Sequence, residues 1–319
     1  MKKIISKWLS IIVPFLLGIG IIVYQYNSFT DQQITEIKSY FKNADYFYIF
    51  LSLVIALFGF WSRAYRWKFS LEHLGYQTHI HNNVMAVCIA YLMNLTVPRS
   101  GEVSRALVLK KYENIPFDKA FGTIVAERVV DLLIFFLFVI IGFIFQFNVL
   151  KDYVLEKIPI EKLLLLFAIG TIGFVVILII WFYSNWKIVN KLKEKFSGLI
   201  EGMTSILKMK NKWAFLFHSF FIWFTYILMF YVTIFALKET SDISFGAVVI
   251  AFIFLSLAIG FTNNGFGVYP LIVAEIFLLY GVSKTAGTAF GWLAWTSQTL
   301  LMIVLGGLSF LFLPILNRK

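Results

Sequence analysis

The chain has a single cysteine, Cys88, in 319 residues, which excludes an internal disulfide and a thiolate metal cluster. Acidic residues are scarce: 17 Asp and Glu stand against 28 Lys and Arg, for a formal charge of +11. Charged residues of both signs make up only 14% of the chain, against about 25% in ordinary soluble domains. A basic balance on so apolar a background reports loop asymmetry across a bilayer rather than nucleic-acid binding. There is no GxSxG, no GxxxxGK[ST], no HExxH and no CxxC, so a serine hydrolase, a P-loop nucleotide enzyme, a zinc protease and a dithiol site have no motif here. His73, His79 and His81 share one loop, but without a cysteine or a convincing carboxylate partner. No metal and no cofactor are expected.

What the chain does have is apolar surface: 60% of residues are hydrophobic and 19% aromatic. A bilayer core about 30 Å thick takes about 20 apolar residues per helix. Full spans are legible at 8–24, 47–62, 123–147, 163–183, 213–237 and 288–313. The first follows Lys2, Lys3 and Lys7 like a secretion leader, yet exits through "VYQYNSFT" with no small-x-small cleavage site, so it reads as a retained helix. Two further apolar regions, 84–110 and 246–280, are interrupted midway by polar and glycine-rich motifs. The expectation is an all-α integral membrane protein, one polytopic domain over 1–319, with about six full transmembrane helices plus two broken re-entrant hairpins.

With a cytoplasmic N-terminus, the cytoplasmic segments carry 20 Lys and Arg and the outer loops 7, with Arg128 inside a span. That asymmetry obeys the positive-inside rule and predicts both termini in the cytoplasm of a cell (inner) membrane protein. At an offset of 165, Val103, Leu107, Lys119, Gly122, Thr123 and Gly142 fall on Val268, Ile272, Lys284, Gly287, Thr288 and Gly307. The match predicts two repeat units, 84–147 and 246–313. Three spans between them reverse the direction of entry, so the units should form an inverted repeat of the kind that encloses substrate sites in secondary transporters.

The first break reads "NLTVPRSGEVSRALVLKKY". Residues 84–97 are too few to span, Pro98 is expected to end the helix, and Gly101 to permit the turn. A second short helix would complete a hairpin whose tip faces a cavity, since bare backbone is not tolerated against lipid. Arg99 and Arg105 at that tip suit an anionic head group, because guanidinium forks bind phosphate bidentately. Glu102 is placed to hold either arginine. Glu127, Arg128 and Asp131 open the third span on one helical face, and each charge at the bilayer centre costs about 2.5–3.5 kcal/mol of insertion. They must pair or line a cavity. The bland alternative is a static ion-pair lock between hairpin and span, and the two readings are compatible. A protonatable Glu127 or Asp131 would add proton coupling.

The second break, "SLAIGFTNNGFGVYPLIVAE", is uncharged at its turn. Asn263, Asn264, Gly265 and Gly267 supply turn conformations and amides, and Glu275 follows on the next helix. A plain helix-breaking loop is the alternative. Trp292 and Trp295 read as packing residues. Seven lysines among the apolar residues of 184–212 predict a cytoplasmic basic amphipathic loop attracted to anionic lipid.

"PRSGEVSRA", "AFGTIVAERVVD" and "NNGFGVYP" together resemble the flippase-like transmembrane family named for lysylphosphatidylglycerol synthase. In bifunctional members a membrane half moves an aminoacylated lipid between leaflets and a separate cytoplasmic domain makes it. The resemblance implies the membrane half alone, because the longest cytoplasmic loop here is about 29 residues, so lysyltransferase activity is not expected. The family motifs carry over onto Gly101, Glu102, Arg105, Glu127, Arg128, Asp131, Gly265 and Gly267. Many members have a Pro and a Gly-Gly where this chain has Thr262, Asn263, Asn264 and Gly265, which bears on substrate. The expected function is transfer of an anionic, aminoacylated or polyprenyl-linked lipid between leaflets, with membrane lipids and, as further possibilities, a second copy or envelope-biosynthesis proteins as partners. The rivals are a membrane-embedded lipid-modifying transferase and a non-catalytic envelope scaffold.

Overall fold

The computed structural model describes residues 2–97, 99–148, 160–184, 206–262 and 264–318, with positions 151, 155, 186, 189, 190 and 193. Among these residues there is no strand. The longer helices among the described residues are α1 (Lys2–Ser28), α2 (Asp31–Asn43), α3 (Tyr46–His73), α4 (Ile80–Thr96), α5 (Ser100–Tyr112), α6 (Phe117–Phe145), α7 (Ile160–Tyr183), α8 (Lys212–Thr233), α9 (Phe245–Phe261), α10 (Val268–Leu278) and α11 (Lys284–Leu316). Among the described residues, four segments, Tyr46–His73, Phe117–Phe145, Lys212–Ala236 and Lys284–Leu316, are long and apolar enough to cross a membrane. The chain is an all-α, multi-pass membrane protein, and α1 and α7 coincide with the remaining two expected spans.

Local chemistry sets the helix starts. Thr30 and Gln33 form a capping box at α2, and Asp45, Ser244 and Ser283 accept backbone N–H groups at the starts of α3, α9 and α11. Each cap satisfies donors that would otherwise be orphaned.

Both broken regions are helical hairpins. α4 packs on α5, and α9 on α10. The open end of the first is tied by the His79 N–H to Glu113 Oε1 at 3.0 Å, and by Asn82 and Asn317, whose side chains exchange hydrogen bonds of 2.9 and 2.8 Å. That face therefore also carries the end of α11. The open end of the second lies at the far end of α6, where the Tyr280 hydroxyl donates to Gln146 Oε1 at 3.3 Å. The hairpins enter from opposite faces. Their first arms, Ile80–Thr96 and Phe245–Phe261, are each 17 residues long and stand 165 positions apart at both ends.

One apolar core, including Trp67, Leu71, Ile89, Leu109 and Ile124, surrounds the first hairpin. Another, including Phe230, Phe277 and Phe290, surrounds the second. α11 reaches its neighbours through small residues: a Cβ at Gly291 or Gly287 would meet the backbone of Pro270 or Ala274, the close approach that small residues permit between membrane helices.

Several expectations are corrected. The turn of the first hairpin is carried by Arg99, at φ 61°, and not by Gly101, which lies inside the first turn of α5. There the Gly101 N–H donates to Asn94 Oδ1 at 2.7 Å, and a Cβ would collide with the Ala90 carbonyl. Gly101 is needed for close approach, not for φ. Arg63 and Arg66 fall beyond the expected span 47–62, yet lie inside α3, which runs on to His73. His79 does meet a carboxylate, Glu113, at 3.3 Å. Pro98, Asn263 and most of the stretch 184–212 lie outside the described residues.

Candidate functional site

Three helices converge on a belt of charge. α3 contributes Arg63 and Arg66, α5 contributes Glu102 and Arg105, and α6 contributes Glu127, Arg128 and Asp131. Spacings of three or four residues put each set on one face of its helix. Arg105 donates from Nη2 to Glu127 Oε2 at 3.0 Å, and Arg66 approaches the same oxygen at 3.6 Å. Arg66 also forks onto both oxygens of Asp131, with one arm at 3.1 Å. Asp131 Oδ2 is further flanked by Arg128 at 3.5 Å and Arg63 at 3.8 Å. Arg128 bridges to Glu102 at 2.9 Å.

The aromatic surroundings fix the arginines. The Arg105 guanidinium lies 3.8 Å above the Trp67 ring, and the Trp67 indole N–H donates to Thr123 Oγ1 at 2.8 Å. Arg63 donates to the hydroxyls of Tyr91 at 2.8 Å and Tyr226 at 3.2 Å, which are 2.8 Å from each other. Arg66 and Glu127 are 0% and 1% exposed, whereas the Arg128 side chain is 43% exposed. The belt thus has a buried back and an open front. Arg63, Tyr91, Asn94, Glu102, Arg105 and Arg128 line a small cleft with Val87 and Ala90.

Charge decides what that pocket accepts. Four guanidinium groups face three carboxylates, leaving one positive charge in excess. An unmatched charge away from water is expensive, so an anion is the favoured occupant. The cleft is far smaller than the roughly 300–1,000 Å³ of pockets for drug-sized ligands, so it holds no whole lipid as it stands. Among the described residues no three His, Cys, Asp or Glu side chains converge to hold a metal.

The expected site residues separate into groups. Glu102, Arg105, Glu127, Arg128 and Asp131 are brought together, with Gly101 allowing α5 to close on α4. Glu102 pairs with Arg128 and with neither Arg99 nor Arg105. Glu127 and Asp131 each meet two or more guanidinium groups. Arg99 is apart: its Nη2 points across to the Gly260 carbonyl at 3.5 Å. In the second hairpin Gly265 and Gly267 take positive φ of 76° and 73°, and Asn264 accepts from the Trp295 indole at 2.9 Å. Trp295 therefore holds the tip as well as packing beneath it. Glu275 pairs with Lys284 at 2.8 Å, both about half exposed, on the arm leading away from the tip.

Sequence reading missed Arg63, Arg66, Tyr91 and Tyr226. The signal for the first two was present: Ala56, Phe60, Ala64, Trp67 and Leu71, all buried, continue a helical stripe past the last residue counted as span.

Comparison with known proteins fits this architecture. The family described as "Lysylphosphatidylglycerol synthase TM region" matches residues 11–307. The chain belongs to this family. The UPF0104 membrane protein MJ1595 of Methanocaldococcus jannaschii is 23% identical over 334 residues, covering 98% of this chain and 96% of that protein. Glycosyltransferase AglD of Haloferax volcanii is 33% identical over 100 residues, which is 31% of this chain and 16% of that one. No solved structure matches. Membership in the lysylphosphatidylglycerol synthase transmembrane family ties the chain to membrane-lipid-related proteins as a class.

Proposed function

We propose that the chain is a lipid transporter that takes the anionic head group of a membrane lipid into the Arg63–Arg105–Arg128 pocket and passes it between leaflets of the cell membrane, without itself making the lipid. The observation that carries this is the single excess positive charge of a mostly buried belt that opens, at the partly exposed Arg128, into a small basic cleft. Hairpins entering from opposite faces support the passage, because such broken helices frame substrate sites in secondary transporters. The 165-residue spacing of α4 and α9 supports an inverted repeat that could rock about that site. A cytoplasmic location of the pocket's open side, and of both termini, follows from the lysine and arginine asymmetry. The partial likeness to a glycosyltransferase supports a second reading within this class, a phosphate-linked carrier lipid as cargo.

The test compares lipids that co-purify with the wild type and with Arg128→Gln, by native mass spectrometry in mild detergent. Arg128 is the suitable variant because it is the most exposed of the four arginines, so its loss leaves the Arg66–Asp131 and Arg105–Glu127 pairs intact. Enrichment of anionic over zwitterionic lipid in the wild type, lost in Arg128→Gln, is the expected result. Equal retention of both classes by the wild type overturns the reading.

A further inference from the structure

Arg99 is left over from this site, and its surroundings differ from those of every arginine in the belt. Its guanidinium is exposed, and among the described residues its one polar partner is the Gly260 carbonyl, with no carboxylate in reach. Its backbone is left-handed, at φ 61° and ψ 15°, a conformation disfavoured for a long side chain. Such strain persists where the surrounding structure fixes it and clusters at ligand clamps. The opposite tip has the same feature: Asn264, 165 positions later, is left-handed at φ 54°.

The two tips meet within the fold: α4 and α9 lead to them from opposite faces, and Arg99 Nη2 donates to the Gly260 carbonyl near the end of α9 at 3.5 Å. The polar surface there is neutral on the second hairpin's side. Trp295 and Met302 of α11 both touch Asn264, the latter through its sulfur at 3.8 Å. Gln298 lies between them on the same face, and its Oε1 is buried with no hydrogen-bond partner.

Resting on the proposed function, we infer that Arg99 and the Asn264 tip form a second anion subsite, a transit station for the lipid phosphate between the inner pocket and the opposite leaflet. A lone guanidinium without a carboxylate rival attracts the phosphate, and the neutral amides beside it release it, since passage requires binding strong enough to enter and weak enough to leave. The inner pocket selects; the tip junction relays.

The experiment uses the full chain in vesicles with acyl-labelled phosphatidylglycerol as the singly charged phosphodiester probe and phosphatidylcholine as the zwitterionic control. Retention is read by native mass spectrometry and crossing by dithionite quenching of the outer leaflet. Arg99→Asn is the key variant, because asparagine tolerates the left-handed backbone and mirrors Asn264 while removing the charge; Arg99→Lys keeps the charge. Arg99→Asn should retain phosphatidylglycerol as the wild type does but move it about 10- to 100-fold more slowly, as expected when one charge-assisted hydrogen bond is removed from the crossing step. Arg99→Lys should keep part of the rate. Wild-type crossing by Arg99→Asn overturns the relay, as does loss of retention equal to that of Arg128→Gln, which would merge Arg99 with the inner pocket. A wild type that retains phosphatidylglycerol no better than phosphatidylcholine, or whose preference disappears on adding inorganic phosphate while no lipid crosses, overturns the lipid reading itself and the relay with it.

Discussion

Arg66 and Asp131, 65 residues apart in sequence, form a two-pronged pair in which the arginine is fully buried. This pair fastens α3 to α6 at the back of the pocket. Removing one partner of a buried pair leaves the other uncompensated, at a cost of about 3–5 kcal/mol. Arg66→Met should therefore lower the unfolding midpoint in detergent sharply. Arg66→Met combined with Asp131→Leu should be milder than the two single losses added together, with a coupling of about 0.5–3 kcal/mol. Strict additivity of the two would mean that the pair does not fasten the helices.

Gly101→Ala pits two effects of known sign against each other. Alanine in a helix is favoured over glycine by about 1 kcal/mol, so at an open position the change would stabilise. Here the new methyl would strike the Ala90 carbonyl, a backbone atom that cannot rotate away, and overpacking of this kind costs about 1–3 kcal/mol. A net loss of thermal stability is expected. A gain would show that α4 and α5 are farther apart than the structure places them.

How much of this was legible in advance follows from the signals involved. Long apolar runs betray spans because lipid demands them, and the two breaks stood out because proline, glycine and charge interrupt otherwise continuous runs. The hairpins and the α6 acids were therefore readable. Arg63 and Arg66 were not, because charge at the end of an apolar run reads as loop. Their burial depends on Asp131 and Glu127, and only the folded pairing reveals it. The same limit misassigned Glu102, since Arg99, Arg105 and Arg128 are all near it in sequence or expected space and nothing linear ranks them. Gly101 was mistaken for the turn because glycine serves both left-handed backbone and close approach; the structure gives the first role to Arg99.

Sidedness can be checked without any lipid. Gln77 precedes the first hairpin, while Asp31 and Asp242 lie beyond the opposite ends of α1 and α8; all three are exposed. In a Cys88→Ala background, single substitutions Gln77→Cys, Asp31→Cys and Asp242→Cys should divide in two. Asp31→Cys and Asp242→Cys should react with a membrane-impermeant thiol reagent in intact cells, and Gln77→Cys only after lysis. Reaction of all three from one side would contradict hairpins that enter from opposite faces.

Glu102 gives the most direct reading of the pocket. Its carboxylate sits 2.9 Å from Arg128, where an incoming phosphate would have to bind, so it holds the place of the ligand and must be displaced. The pair is partly exposed, and exposed pairs contribute only about 0–1 kcal/mol to stability, so Glu102→Gln should fold normally. Neutralising Glu102 raises the excess charge of the belt from one to two and frees Arg128. Retention of anionic lipid should rise about tenfold, which corresponds to about 1.4 kcal/mol, while zwitterionic lipid is unaffected. If Glu102→Gln instead weakens anionic retention, the carboxylate is orienting Arg128 toward the ligand rather than competing with it, and the pocket would select its head group with the Glu102–Arg128 bridge closed.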